Sequence, residues 1–121
     1  MALIVKQPEK GEMFLEEMMD RDIHPSPYFY SALMKGYCKR GNPKRAENVM
    51  RKSPNLEIKK NLVLYNTLIG GYSRIRRFKD SLRLYKEMKE KQLKPDLFTY
   101  SAIITVYTRC KDMVNAMKVF E

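Results

Sequence analysis

Little in this chain invites a catalytic or metal-binding reading. There is one histidine, His24, standing alone before Pro25, and there are two cysteines. Cys38 and Cys110 have neither a Cys-x-x-Cys partner nor metal-ligand spacing, so both read as reduced helix residues. No paired-carboxylate site, Ser/His/Asp set, metal cluster or phosphate-cradling glycine loop can be assembled from the residues. The expectation is therefore no enzyme, no catalytic residue, no cofactor and no metal. No apolar run approaches the roughly 20 residues needed to cross a bilayer, which argues against a membrane partner. The opening Met1–Lys10 is too short and mixed for a signal peptide and lacks the Arg- and Ser-rich character of a transit peptide. The chain is thus read as not imported, or as a mature form or fragment.

Acidic residues are also in short supply. Fourteen Asp and Glu face twenty-four Lys and Arg, a formal net charge of +10 over 121 residues. The imbalance is uneven. Residues 1–26 carry three basic and six acidic groups, while residues 27–121 carry twenty-one and eight. A basic body of this kind suits a polyanionic partner such as nucleic acid, although lysines and arginines also solvate ordinary exposed faces. An apolar content of 44% with 31% charged residues fits a single folded helical domain.

What is abundant is self-similarity. Shifted by thirty-five residues, the sequence falls on itself: Tyr30, Tyr65 and Tyr100 align, as do Leu33, Leu68 and Ile103, then Tyr37, Tyr72 and Tyr107. Ala46, Ser81 and Ala116 follow, and Val49, Leu84 and Val119. A period of this length signals stacked helical pairs. Within Leu62–Asp96, an apolar stripe of Leu62, Tyr65, Leu68, Ile69 and Tyr72 marks one helix, and Phe78, Leu82, Tyr85 and Met88 a second. Lys94-Pro95-Asp96 then stops the second helix and offers Asp96 as the cap of the next. The expected fold is all-α: an α-solenoid of stacked helix-turn-helix hairpins with a 35-residue period, seven helices in all.

The expected units are 7–26, the second half of a repeat; 27–61 and 62–96, complete; and 97–121, truncated in its second helix. The whole chain, 1–121, is one array. Ser26 with Pro27, and Asn42 with Pro43, are placed to start helices. Pro54 should shorten the second helix of the first full repeat or force a loop. Ending on Val119-Phe120 fits a truncated array, a fragment, or a partner covering that end.

One stripe on the first helix of each unit has a recurrent chemistry. In successive units it reads Tyr28, Ser31, Lys35, Lys39; then Val63, Asn66, Gly70, Arg74; then Phe98, Ser101, Thr105, Arg109. An apolar or aromatic group can wedge against a base face. A short polar group can bond a base edge, and a cation further along can meet a phosphate. The competing readings are plain packing for Tyr28, Val63 and Phe98, simple capping for Ser26, Asn61 and Asp96, and solvated surface for Lys39, Arg74 and Arg109.

These tracts resemble the pentatricopeptide repeat family. Tyr65-Asn66-Thr67-Leu68-Ile69-x-Gly71-Tyr72 and Tyr85-x-Glu87-Met88-x-x-x-x-Leu93-Lys94-Pro95-Asp96 carry the likeness. Tyr30-Ser31-Ala32-Leu33-Met34-x-Gly36-Tyr37-Cys38-Lys39 and Tyr100-Ser101-Ala102-Ile103-Ile104 repeat the first tract. The resemblance spans about residues 12–121. Tetratricopeptide repeats run at thirty-four residues and favour a tryptophan, which this chain lacks entirely. Arg76 and Asp112 depart from the family by standing where it often has glycine, and the Pro54 region lacks the usual Met and Lys-Pro ending.

The resemblance implies a right-handed superhelix that binds single-stranded RNA in mitochondria or plastids, with no catalysis of its own. It also implies that the fifth and last residues of a repeat jointly select one base. Ser31 with Asn61 would then favour adenine and Asn66 with Asp96 uracil, while Ser101 begins a third site. Tyr28, Val63 and Phe98 would stack on bases, and Lys39, Arg74 and Arg109 would contact phosphates. Two other readings stand beside this RNA-binding adaptor. One is a structural component of an organellar ribosome or other large ribonucleoprotein complex, holding ribosomal RNA or neighbouring proteins. The other is a peptide-binding helical scaffold.

Overall fold

A computed structural model describes residues 6–109 of the chain. All its regular structure is helical; among the described residues there is no strand. The helices are α1 (Pro8–Asp20), α2 (Pro27–Lys39), α3 (Pro43–Lys52), α4 (Leu56–Lys59), α5 (Leu62–Arg74), α6 (Phe78–Glu90) and α7 (Leu97–Arg109). The expected second helix of the last unit, with Ala116 and Val119, lies outside the described residues, as do Cys110 and Asp112.

Three of the long helices begin after a residue whose side chain caps them. Asn42 accepts from the Arg45 amide at 3.2 Å, Asn61 from the Leu64 amide at 3.2 Å, and Asp96 from the Thr99 amide at 3.0 Å. Ser26 does not fulfil its expected role. It occupies the position before α2, but its hydroxyl makes no capping hydrogen bond. Pro27, with its φ already set for a helix and no amide hydrogen to satisfy, starts α2 without one.

Four helices stop in the same way. The residue two beyond the helix end adopts a left-handed conformation at Asp22 (φ 60°), Gly41 (77°), Arg76 (65°) and Gln92 (64°). The following amide then reaches back to a carbonyl in the last turn: Ile23 to Met18, Asn42 to Tyr37, Arg77 to Tyr72 and Leu93 to Met88, at 2.8–3.0 Å. This satisfies carbonyls that would otherwise be orphaned at the helix end.

The second helix of the 27–61 unit is the exception. Pro54 lacks an amide hydrogen, and α3 stops after ten residues where its counterparts α1 and α6 run to thirteen. Ser53 Oγ accepts from the Asn55 amide, and Asn55 Oδ1 caps the one-turn helix α4, which was not expected from the sequence. That turn returns Ile58 to the core, fully buried. Both expected outcomes of Pro54, shortening and a loop, therefore occur together.

The helices pack in two layers. α2, α5 and α7 contact one another in succession, while α3 and α6 each pack on the helix before them and on the next first helix. Leu33, Leu64, Leu68, Ile69, Leu84 and Ile103 are fully buried between the layers. Each such side chain contributes about 1.5–3 kcal/mol over an exposed one. α2 and α5 approach closely because Gly71 has no side chain. A Cβ there would fall 2.5 Å from Cys38 Sγ and 3.3 Å from Pro43 Cβ.

The second layer is fastened by acids, of which Glu47 is buried and Glu12 and Glu87 are half-buried. Tyr72 donates to Glu47 at 2.6 Å, and Tyr37 to Glu12 at 2.6 Å, the same pair one period earlier. Glu47, only 7% exposed, also accepts both Arg83 nitrogens and Arg51. Arg51 continues to Glu87, which accepts from Tyr65. Burial alone would raise the Glu47 carboxyl, but the bonds from Arg83, Tyr72 and Arg51 outweigh it and hold the carboxyl down to about 2.

Candidate nucleic-acid interface

The first helices present a cleft of about 200 Å³. Lys35 and Lys39 of α2 stand on one side, Asn66 and Arg74 of α5 on the other, and Phe98 of α7 closes one end. A Cβ at Gly70 would stand 3.9 Å from the Phe98 ring, ordinary van der Waals contact, so the ring lies beside that glycine. Lys39 and Arg74, picked from the stripe as recurrent cations, therefore share one cleft. Lys35, which the stripe marked only as a variable position, joins them. Arg74 also lies close enough to ease the Cys38 thiol downwards, but burial dominates and pushes that thiol up to about 11. Cys38 is a free, buried neutral thiol whose weak contact is the Thr67 carbonyl at 3.8 Å. That suits the inert role read from the sequence.

Tyr28, Val63 and Phe98 are 71%, 57% and 58% exposed. None is a core residue, although each is large and apolar, so their faces are open to a partner. Ser101 and Arg109 are exposed on α7. His24 is exposed and lies 3.2 Å from Asp22.

The two residue pairs singled out from the sequence differ sharply. Asn66 Nδ2 donates to Asp96 Oδ1 at 3.2 Å, thirty residues away in the chain. Thr99 Oγ1 lies 2.6 Å from Asn66 Oδ1 and 2.9 Å from Asp96 Oδ1, and accepts from the Asp96 amide at 3.2 Å. Hydrogen bonds from the Thr99 amide and hydroxyl, and from Asn66, hold the Asp96 carboxyl below its ordinary value. It is therefore an ionised, acceptor-only group at neutral pH. By contrast, Asn61 spends its side-chain oxygen on the Leu64 amide. Ser31 is half-buried on α2, and no hydrogen bond joins it to Asn61 among the described residues.

Thr99 escaped the sequence reading because it appeared only as a residue in the first turn of a capped helix. The available signal was a contrast: a hydroxyl stands at position 99 where Leu64 and Phe29 stand one and two periods earlier. Glu47 was missed for a similar reason. Glu12 and Glu47 repeat at thirty-five residues with Tyr37 and Tyr72, but a glutamate on a charged helix looks like solvated surface.

Among the described residues no group of three or more His, Cys, Asp or Glu could hold a metal ion, and no helix is long and apolar enough to cross a membrane. Comparison with individual curated proteins returns no match. Comparison with protein families does: residues 60–107 match the PPR repeat family and residues 98–121 the PPR repeat. Residues 13–74, half of the chain, match the Pentatricopeptide repeat domain, and with the helical hairpins described above this places the chain in the pentatricopeptide repeat family.

Proposed function

We propose that this chain is a single-stranded RNA-binding adaptor that reads about one base per repeat and acts in organellar RNA metabolism. The family is generally one of RNA-binding helical repeat proteins, typically non-enzymatic and commonly organellar. Within it, the units 27–61 and 62–96 each present one base-reading pair, Ser31 with Asn61 and Asn66 with Asp96. Tyr28, Val63 and Phe98 stack on bases, and Lys39, Arg74 and Arg109 meet phosphates, while Ser101 opens a further site. The observation that carries this reading is the hydrogen bond between Asn66 and Asp96, at the wall of a cleft bearing three cations and an open aromatic face. A side-chain amide offers a donor and an acceptor, which suits the mixed edge of uracil. The preferred core is 5′-A-U-3′, since members of the family lie parallel to their RNA.

The test is a pair exchange. Grafted into a longer array, the units 27–61 and 62–96 should bind best when A and U face them. Asn66→Ser with Asp96→Asn should move the second preference from U towards A, by roughly tenfold or more in relative affinity. A preference that stays put would reduce Asn66 and Asp96 to a helix residue and a cap. Homopolymer binding across salt separates the other readings. Base-blind, steeply salt-dependent binding would support a structural role in a ribonucleoprotein, and no RNA binding at low salt a peptide scaffold.

A further inference from the structure

We infer that Thr99, contributed by the unit that follows, is a positioning residue for the Asn66–Asp96 pair and sets its discrimination between uracil and cytosine. This rests on the base-reading proposal above and extends it to a third side chain. The geometry is a closed triangle. Asn66 is 7% exposed and Thr99 fully buried, so neither can exchange its partner for bulk water at little cost. Asp96 accepts only, so Asn66 must turn its NH₂ towards it. The amide oxygen then faces the Thr99 hydroxyl at 2.6 Å, the shorter of that hydroxyl's two acceptor contacts. Turning the amide over would set oxygen against carboxylate and leave the Thr99 hydroxyl only its longer acceptor contact, Asp96 Oδ1 at 2.9 Å. The amide is thereby fixed in one orientation, with one N–H and one oxygen lone pair left for a ligand.

Orientation matters because the two pyrimidines differ in symmetry. The pairing edge of uracil runs acceptor, donor, acceptor, so either amide orientation finds a match. That of cytosine runs donor, acceptor, acceptor, and only one orientation fits it. An amide that can turn over serves both bases; one held in a single orientation rejects cytosine when the base lies with its amino group towards the amide NH₂, the placement this inference assigns. The first pair has no such device: Leu64, fully buried and apolar, stands where Thr99 stands in the second.

The experiment uses the full chain with three twelve-nucleotide RNAs: all-A, and the same with U or with C as the sixth base. Wild type should prefer the U oligonucleotide over the C one. Thr99→Val, which keeps the shape and removes the hydroxyl, should shrink that ratio about fivefold, chiefly by improving the C oligonucleotide. Thr99→Ser should restore it. Loss of affinity for all three RNAs alike, with the ratio intact, would make Thr99 structural only and overturn the inference. If wild type binds the U and C oligonucleotides alike but both better than all-A, the inference fails alone; if it separates none of the three, the base-reading proposal fails and the inference falls with it. A second measurement needs no variant. In the free protein one Asn66 side-chain amide proton, the one donated to Asp96, should exchange slowly with solvent. Fast exchange of both amide protons would overturn the clamp even if Thr99→Val failed to fold.

Discussion

The two candidate base-reading pairs sit on the same kind of helix one period apart, yet rigidity is distributed between them in opposite ways. Around Ser31 and Asn61 the scaffold is pinned. Gly71 brings α2 and α5 into close contact, and Glu47 ties α3 to Tyr72 of α5 and Arg83 of α6. The pair itself is not joined: the Asn61 side-chain oxygen caps α5, and among the described residues no hydrogen bond links it to Ser31. Around Asn66 and Asp96 the pair is pinned, by Thr99, while the scaffold lacks the acid. Leu82 stands one period after Glu47 and Tyr107 one period after Tyr72, so the tyrosine–glutamate bond of the earlier units is not repeated at these two positions. A buried acid with several donors fixes the spacing of whole helices. A hydroxyl touching an amide fixes one side chain. Shape and selectivity are therefore separable in this fold.

The largest effect should come from breaking the pinned scaffold. Glu47→Ala removes an acceptor shared by Tyr72, Arg51 and Arg83, and should cost about 2–3 kcal/mol in urea unfolding. The base preference at Asn66 and Asp96 should survive in the fraction still folded. The same bond has a pH signature. The Glu47 carboxyl, at about 2, titrates below its unfolded value. Its contribution is thus complete above the ordinary glutamate range and disappears as pH falls towards 2. Glu47→Gln should flatten the acid limb of the wild-type stability curve; an unchanged limb would place the acid sensitivity elsewhere.

A smaller effect should leave the two pairs equal. Lys39, Arg74 and Arg109 are exposed cations shared along the stripe. Changing all three to Ala should weaken every RNA alike and flatten the salt dependence by roughly two units of slope, about 0.7 per lost phosphate contact on a single strand. A slope that does not move would assign these residues to solvated surface. The smallest effect concerns the turns. Gly41 and Arg76 hold the same left-handed conformation one period apart, φ 77° and 65°. Only the arginine carries a Cβ penalty. Arg76→Gly gives up a contact with the Phe78 ring at 5.6 Å and gains backbone relief. A net stabilisation of about 0.5 kcal/mol is expected in thermal unfolding.

Much of this was readable from residues alone because helices are governed by short-range rules. The apolar stripes, the caps at Asn42, Asn61 and Asp96, and the stop at Pro54 depend on neighbours within a few positions, and each has its expected counterpart in the structure. Exposure along the stripe was not legible in the same way: Tyr28, Val63 and Phe98 are open while Asn66, on the same stripe, is buried. Ser26 failed because a proline at the first turn makes a capping hydroxyl dispensable.

What the sequence by itself determined was the six long helices of the described residues, though not the one-turn α4, and which face of each is apolar, since both follow from periodicity and terminal chemistry within one segment. The tertiary structure decided which polar groups meet. Glu47 with Tyr72 lies twenty-five residues apart, Asn66 with Asp96 thirty, and Asn66 with Thr99 thirty-three. No local rule distinguishes a buried acid or a clamping hydroxyl from a surface one. Only the docking of one hairpin on the next removes water from those groups, and with water gone each must find a partner or forfeit its hydrogen bond.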